Sequence, residues 1–268
     1  DYFTMLGSNL TNNEDGWILN SPTNPCKLDG AMHKSQVFRD LASNDTLSSI
    51  ARTLLGQENI DTYISKFFPM VPLEGFSVCW HQDNHYIKAD PSRLISCDVF
   101  FNGADKENGC LRIIPDTHTS TFDHDKRSHS VFDWIDIDEE SSTIVDIECD
   151  TTFAVFFHPN LVHGCYRNRS DRYRYSIAWE YIHKGYHPVT YEGHQSQDRL
   201  PATTIYHSFC QTPTYNRDSL RLCAMCATSA MVDYSNFCCA TVPGAIFPHK
   251  IRLFGCDAHL KTQPTMSR

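Results

Sequence analysis

Hydrophobic and polar positions change rhythm near residue 59. Before it, "NDTLSSIARTLLG" (44–56) repeats apolar residues at helical spacing. Leu47, Ile50, Ala51, Leu54 and Leu55 then share one face, with Asn44 or Asp45 as cap and Gly56 as the stop. "HKSQVFRDLA" (33–42) predicts a second short helix, and residues 1–30, rich in Asn, Asp, Gly and Pro, predict irregular structure. Beyond residue 59 the runs shorten and become rich in β-branched and aromatic residues, punctuated by Pro, Gly, Asn and Asp. "IDTYISKFF", "RLISCDVFF", "CLRIIP", "STIVDI", "TFAVFF" and "RYSIAWEYI" each predict a strand. Helices followed by many short strands predict a mainly β fold with flanking helices, a jelly-roll sandwich or barrel with the helices packed outside.

No internal repeat or low-complexity tract interrupts this order, so the chain reads as one domain over 1–268. Its core covers about 59–182, with a helical region at 1–58 and a cysteine-rich region at 183–268. A length of 268 residues with 41% hydrophobic and 12% aromatic residues supports a sizeable buried core. The net charge of −9 argues against nucleic acid or an anionic membrane surface as partner. No apolar stretch approaches the roughly 20 residues of a membrane span. The chain begins at Asp1 rather than Met, so a targeting segment ahead of it is left open. Twelve cysteines are scattered rather than set out as a small-domain disulfide framework, which points to a reducing, intracellular, cytoplasmic setting. The sequons at Asn9, Asn44 and Asn168 are of a number chance supplies.

Four stretches carry candidate chemistry. In "CWHQDNHY" (79–86), His81, Asp83 and His85 stand two apart, so an extended strand would present them on one face. This is half of a metal site or a solvated strand edge. "NGCLRIIPDTH" (108–118) is a turn, a short apolar strand and a second turn ending at His118. "FAVFFHPNLVHG" (153–164) is a buried strand broken at Pro159, then a loop with His163. In "RYRYSIAWEY" (172–181), alternation puts Arg174, Ser176, Ala178 and Glu180 on one face and Tyr175, Ile177, Trp179 and Tyr181 on the other. An arginine with small neighbours leaves room for a carboxylate held bidentately; the alternative is a surface salt bridge.

"WHQDNHY", "NGCLRIIPDTH", "FFHPNLVHG" and the arginine eleven positions after His163, in this order, resemble the phytanoyl-CoA dioxygenase family. The resemblance covers roughly residues 59–182 and is weaker over 30–58. It implies a double-stranded β-helix (jelly roll, cupin-like) and an Fe(II)- and 2-oxoglutarate-dependent oxygenase that uses O2 and a small organic substrate. Carried across residue by residue, it implies that His81, Asp83 and His163 bind iron and that Arg174, with Ser176, binds the C5 carboxylate of 2-oxoglutarate. Two imidazoles and a carboxylate suit non-haem Fe(II) and leave coordination positions open for cosubstrate and oxygen. Asp83 favours hydroxylation over halogenation, since related halogenases carry a small residue there; desaturation and oxidative ring closure stay open. Asp116 departs from the family's usual glycine, which puts that turn in doubt.

His158 rivals His163, but only His163 keeps the family's spacing to Arg174. Arg172 is a second candidate anchor at an offset of nine. Thr62, which would share a strand face with Lys66, is a candidate for the other end of 2-oxoglutarate. His85 and His118 read as solvated or structural. Cys223, Cys226, Cys238 and Cys239 read as packing thiols, with a structural zinc site as the alternative. Two other classes remain: a catalytically silent jelly-roll binding module, disfavoured by the intact ligand set, and a zinc hydrolase, which would leave Arg174 without a cosubstrate.

Overall fold

The computed structural model describes residues 16–21, 24–126, 132–188 and 199–202, with strand segments at 241–242 and 251–253. Strands β1 (Trp17–Ser21) and β2 (Asn24–Asp29) come first, then short helices α1 (Ala31–Lys34) and α2 (Gln36–Ala42) and the longer α3 (Asp45–Leu55). Strand β3 (Ile60–Met70) and β4 (Val78–His81) lead into helix α4 (Asp83–Ile87). There follow β5 (Leu94–Phe100), β6 (Leu111–Ile113), β7 (Val145–Ile147), β8 (Phe153–Phe157), β9 (His163–Cys165) and β10 (Arg174–His183). The short β11 (Arg199–Pro201), β12 (Thr241–Val242) and β13 (Ile251–Leu253) complete the order.

These strands form a nine-stranded sheet, β1-β2-β3-β10-β5-β8-β13-β12 with β11 also on β3, and a four-stranded sheet, β4-β9-β6-β7. The two sheets share a buried cluster in which Phe100, Phe153, Val155 and Phe157 of the large sheet meet Leu111, Ile113 and Ile147 of the small one. This is the predicted jelly roll. Its layering follows from strand alternation. On β5 and β10, Ile95, Cys97, Val99, Ile177, Trp179 and Tyr181 face outward into a second cluster with Ala42, Leu47, Ala51 and Leu55 of the helices. Trp179 and Tyr181 are fully buried there, each contributing about 1.5–3 kcal/mol by analogy with other large apolar side chains. The Tyr181 hydroxyl donates to the Ala42 carbonyl at 2.6 Å, tying the end of α2 to the sheet. The opposite faces of the same strands carry Arg174, Ser176, Ala178, Asp98 and Phe100 into the space between the sheets.

The helix predicted over 44–56 is present as α3, with the Asn44 side chain accepting from the Thr46 N–H and Gly56 left-handed at its end. The other early expectations change. The helix read over 33–42 begins at Ala31 and is broken at Ser35, whose backbone is extended. Residues 17–29, read as irregular, are two antiparallel strands held by pairing of β2 with β3, Leu28 opposite Phe67. Strand β3 is itself irregular: Lys66 lies opposite Ala178 of β10, but Tyr63, not Lys66 less two, lies opposite Glu180. The extra residue is a bulge with Ile64 at φ 46, a left-handed conformation that a β-branched residue rarely adopts.

The six cysteines of the described residues, Cys26, Cys79, Cys97, Cys110, Cys149 and Cys165, are free thiols. Cys223, Cys226, Cys238 and Cys239, and the sequon at Asn9, lie outside the described residues. The sequon residue Asn168 is fully buried, its amide donating to the Met70 and Arg172 carbonyls, which leaves no place for a glycan. Among the described residues, no helix is long and apolar enough to cross a membrane.

Candidate metal centre

His81 ends β4 and lies directly opposite His163, the first residue of β9, in an antiparallel pair. Close approach of these strands requires Gly164: a Cβ there would stand 2.8 Å from the Val78 carbonyl oxygen. After His81 the chain turns through Gln82 into α4, with Asp83 as its first residue. Gln82 fixes that turn. Its side chain donates to the Ser120 and Asn160 carbonyls and accepts from the Phe122 N–H, while its own N–H donates to His124 Nε2. His81 and Asp83 therefore converge from a strand end and a helix start, not from one strand face. His163, read as a loop residue, is in a strand.

The result is a buried cluster in which one ligand atom from each of His81, Asp83 and His163 lies within 4.8 Å of the others. His81 Nε2 is 3.8 Å from Asp83 Oδ1, and His163 Nε2 is 3.8 Å from Asp83 Oδ2. Each imidazole Nδ1 is 2.9 Å from a carbonyl oxygen, that of Cys79 for His81 and of Leu161 for His163. A carbonyl can only accept, so Nδ1 carries the hydrogen, and the nitrogen left to bind a metal is the inward Nε2. Burial, then the neighbouring His163, lowers the His81 pKa and keeps that ring neutral. Burial alone would raise Asp83, but Lys66 and the two imidazoles outweigh it and hold its carboxyl below the usual range. The Ser96 hydroxyl donates to Asp83 Oδ2 at 2.7 Å. Two inward imine nitrogens and one ionised carboxylate make a donor set that fits a divalent transition metal.

Arg174 opens onto the same cavity from β10. Its side chain is 3% exposed, yet among the described residues it has no carboxylate partner. Its contacts are the Ser176 hydroxyl, the Cys165 sulfur at 3.9 Å and the Phe100 ring at 5.1 Å, and its Nε is unpaired. Burial lowers its pKa. Between Arg174 and the His–Asp–His cluster, the register sets Lys66, Ala178 and Asp98 side by side on three adjacent strands. Lys66 Nζ is 3.4 Å from Glu180 Oε1 and 3.7 Å from Asp83 Oδ1. Burial would lower the Lys66 pKa, but Glu180 and then Asp83 raise it well above the usual range. Glu180, whose second oxygen is unpaired, is pushed up to about 8 by burial against the pull of Lys66. Asp98 rises to about 7 through burial and the nearby Asp83.

The remaining candidates lie elsewhere. Thr62 does not reach the cavity: the bulge at Ile64 puts it on the face opposite to Lys66, where its hydroxyl donates to the Leu200 carbonyl at 3.2 Å. Arg172 is exposed and paired with Asp105 at 2.6 Å. His158 packs against His118 at 5.4 Å, and its Nδ1 accepts from the Asn160 N–H. His85 pairs with Asp133 at 2.9 Å and stacks on His124 at 3.8 Å. Asp116 takes φ 65, a left-handed conformation that Asp tolerates better than most residues, so the turn survives loss of its glycine. Ser96 and Asp98 were missed in the sequence, although "LISCDVF" alternates them with Ile95, Cys97 and Val99.

The family model for phytanoyl-CoA dioxygenase (PhyH) matches residues 18–176. Peroxisomal phytanoyl-CoA dioxygenase of Homo sapiens is 30% identical over 136 residues, 47% of this chain and 39% of that protein. The Rattus norvegicus protein is 37% identical over 112 residues, 38% of this chain and 32% of that protein. The chain thus spans well under half the length of these mammalian proteins. Among solved structures, EctD from S. alaskensis with 2-oxoglutarate and 5-hydroxyectoine matches with TM-score 0.52 and 22% identity, over 67% of this chain and 64% of that one. The 2-oxoglutarate-dependent carbocyclase SnoK from nogalamycin biosynthesis matches with TM-score 0.51 and 21% identity, over 68% of this chain and 73% of that one. At such identities these structures share the fold.

Proposed function

The chain belongs to the phytanoyl-CoA dioxygenase family, and from that premise we propose that it is an Fe(II)- and 2-oxoglutarate-dependent oxygenase acting on a small organic substrate. One observation carries the reading: a buried guanidinium that has no carboxylate partner among the described residues opens onto the cavity that holds His81, Asp83 and His163. A structural arginine would have its own acid. This one is free to receive an acid from outside, and a zinc hydrolase has no use for it.

His81 Nε2, His163 Nε2 and an oxygen of Asp83 would hold the iron, with the Nδ1 hydrogens directed to the Cys79 and Leu161 carbonyls. Arg174 holds the C5 carboxylate through its planar fork, and the Ser176 hydroxyl steadies the guanidinium. Phe68 and Phe100 add apolar surface to the lining of the same cavity. Iron held there would supply oxygen activation coupled to decarboxylation of 2-oxoglutarate. In the balanced reaction one oxygen atom enters succinate, the other enters the substrate as a hydroxyl group, and carbon dioxide leaves. Hydroxylation is the default outcome; desaturation or ring closure uses the same oxidising equivalents and releases the second oxygen as water.

The test is succinate formation by anaerobically reconstituted protein on admission of oxygen, across a panel of small organic substrates. Iron- and oxygen-dependent succinate that Asp83→Ala removes supports the reading. Hydrolytic turnover without oxygen, restored by zinc and not by iron, would place the chain in another class. Absence of succinate under every condition would mark a silent binding module.

A further inference from the structure

We propose that the substrate's reacting end is uncharged and apolar, and that Phe132 is the residue that sets its width. This rests on the function proposed above. The two sheets line the cavity unequally. Lys66, Asp98, Arg174 and Ser176 come from the large sheet, so every charged lining residue except Asp83 stands on that side. The small sheet and its connections supply the metal ligands together with Val78, Leu111 and Phe132. The aromatic rings divide in the same way. Phe100 lies beside the Arg174 guanidinium at 5.1 Å, whereas Phe132 lies beside His81, 5.3 Å between ring centres. An oxoacid reaching from the ligands to Arg174 runs along the charged side. What remains next to His81 is the apolar side, with Phe132 at its edge.

A wall selects only if it cannot retreat. Phe132 lies in the connection between β6 and β7, is 9% exposed, and packs in one cluster with Cys26, Phe76 and Val78. Lys27 Nζ stands over its ring, 5.2 Å from the centre. The next residue, Asp133, is held twice by α4: its N–H donates to Tyr86 Oη at 2.7 Å, and its carboxylate pairs with His85 at 2.9 Å. Two residues on, the Ile135 N–H donates to the carbonyl of Trp80, directly before His81, at 2.8 Å. The strand and helix that bear His81 and Asp83 therefore also bear the wall, and ring and ligands keep one spacing. A charged group pressed against this side would give up its water, and the one acid there among the described lining residues, Asp83, is committed to the metal. An apolar group gains by leaving water.

The test uses zinc-loaded protein saturated with 2-oxoglutarate. Benzyl alcohol, benzylamine and benzoate share one ring and are neutral, cationic and anionic at neutral pH; 2-naphthylmethanol is neutral and wider. Ligand-observed NMR titrations give their dissociation constants. Wild type should bind benzyl alcohol more tightly than either charged probe, on the order of tenfold, and more tightly than 2-naphthylmethanol. Phe132→Ala should reverse the order of the two alcohols, weakening the narrow one and admitting the wide one, each on the order of tenfold. Its affinity for 2-oxoglutarate should stay at the wild-type value, since the ring stands away from the charged side. Phe132→Leu, nearer in volume, should shift both alcohols in the same directions by less, and it covers the case in which the alanine variant fails to fold. A charged probe bound as tightly as benzyl alcohol, no binding of either alcohol, or an unchanged ratio between the alcohols in both Phe132 variants overturns the inference alone. Failure of zinc-loaded wild type to bind 2-oxoglutarate overturns the functional reading and this inference with it.

Discussion

Replacing Arg174 by Met should stabilise the empty protein and abolish its response to 2-oxoglutarate. The side chain is 3% exposed and, among the described residues, no carboxylate pairs with it directly; Asp98 of the same cavity attracts it from beyond ion-pair distance. Burying an ion costs several kcal/mol even after relaxation. Against this stand a charged hydrogen bond with Ser176, about 1.5–3 kcal/mol, and the Phe100 ring at 5.1 Å, about 1–2 kcal/mol. A buried Met in the same volume contributes about 1.5–3 kcal/mol. The balance favours Met by roughly 1–3 kcal/mol, or about 2–4 °C in Tm for each kcal/mol in a chain of this size. Ligand reverses the order. Wild type with zinc and 2-oxoglutarate at 100 times its Kd gains about 2.7 kcal/mol, and Arg174→Met gains nothing. Thermal melts of both proteins, zinc-loaded with and without the oxoacid, decide the matter. A variant that melts below wild type without ligand, or that gains the same shift from 2-oxoglutarate, would refute the reasoning.

Asp83→Ala should eliminate tight metal retention and oxygen-dependent succinate while leaving the circular dichroism spectrum unchanged; metal content per chain and the turnover assay report it. Gly164→Ala would set a methyl group 2.8 Å from the Val78 carbonyl, between the strands that carry His81 and His163. It should cost about 1–3 kcal/mol in overpacking and weaken zinc binding at least tenfold, read by denaturant melts and chelator competition. His158 is lowered from 6.5 to about 4 by burial and by His118, so below pH 6.5 the unfolded chain takes up the proton first. Its effect on stability is therefore absent above that pH and grows as pH falls towards 4, reaching at most about 3 kcal/mol of lost stability. His158→Asn should flatten that part of the acid limb in urea melts at pH 7, 5.5 and 4.5, and an unchanged limb would exclude His158 as its source.

Legibility followed regularity. Over 174–181 the strand alternates a face of Arg174, Ser176, Ala178 and Glu180 with a face of Tyr175, Ile177, Trp179 and Tyr181, so both faces could be assigned from its letters. The helix over 45–55 carries its own cap and stop. The spacing of His81, Asp83 and His85 misled because a period of two over three residues is equally compatible with a strand passing into a helix. Gln82 remains extended and Asp83 is helical, so the chain turns inside the motif. Strands β1 and β2 carry a weak signal of their own and owe their form to pairing with β3. The charges of Lys66, Asp98 and Glu180 were visible, but their sharing of one buried cavity depends on which strands are neighbours, and local pattern does not encode that.

The bulge at Ile64 gives strand β3 the property of a reading frame. Residues before it are assigned to the two faces in one phase and residues after it in the other: Ile60 and Thr62 outward, then Lys66 and Phe68 inward. A single-residue deletion at this point, trivial in a surface loop, would act as a frameshift in three dimensions. It would slide the phase of one half against the other, bringing the hydroxyl of Thr62 inward or sending Lys66 outward towards the helices. Descendants of this chain can therefore exchange the cavity's polar lining in one mutational step without altering a single codon for a cavity residue, and length variation within this strand is the place to look for altered ligand choice among its kin.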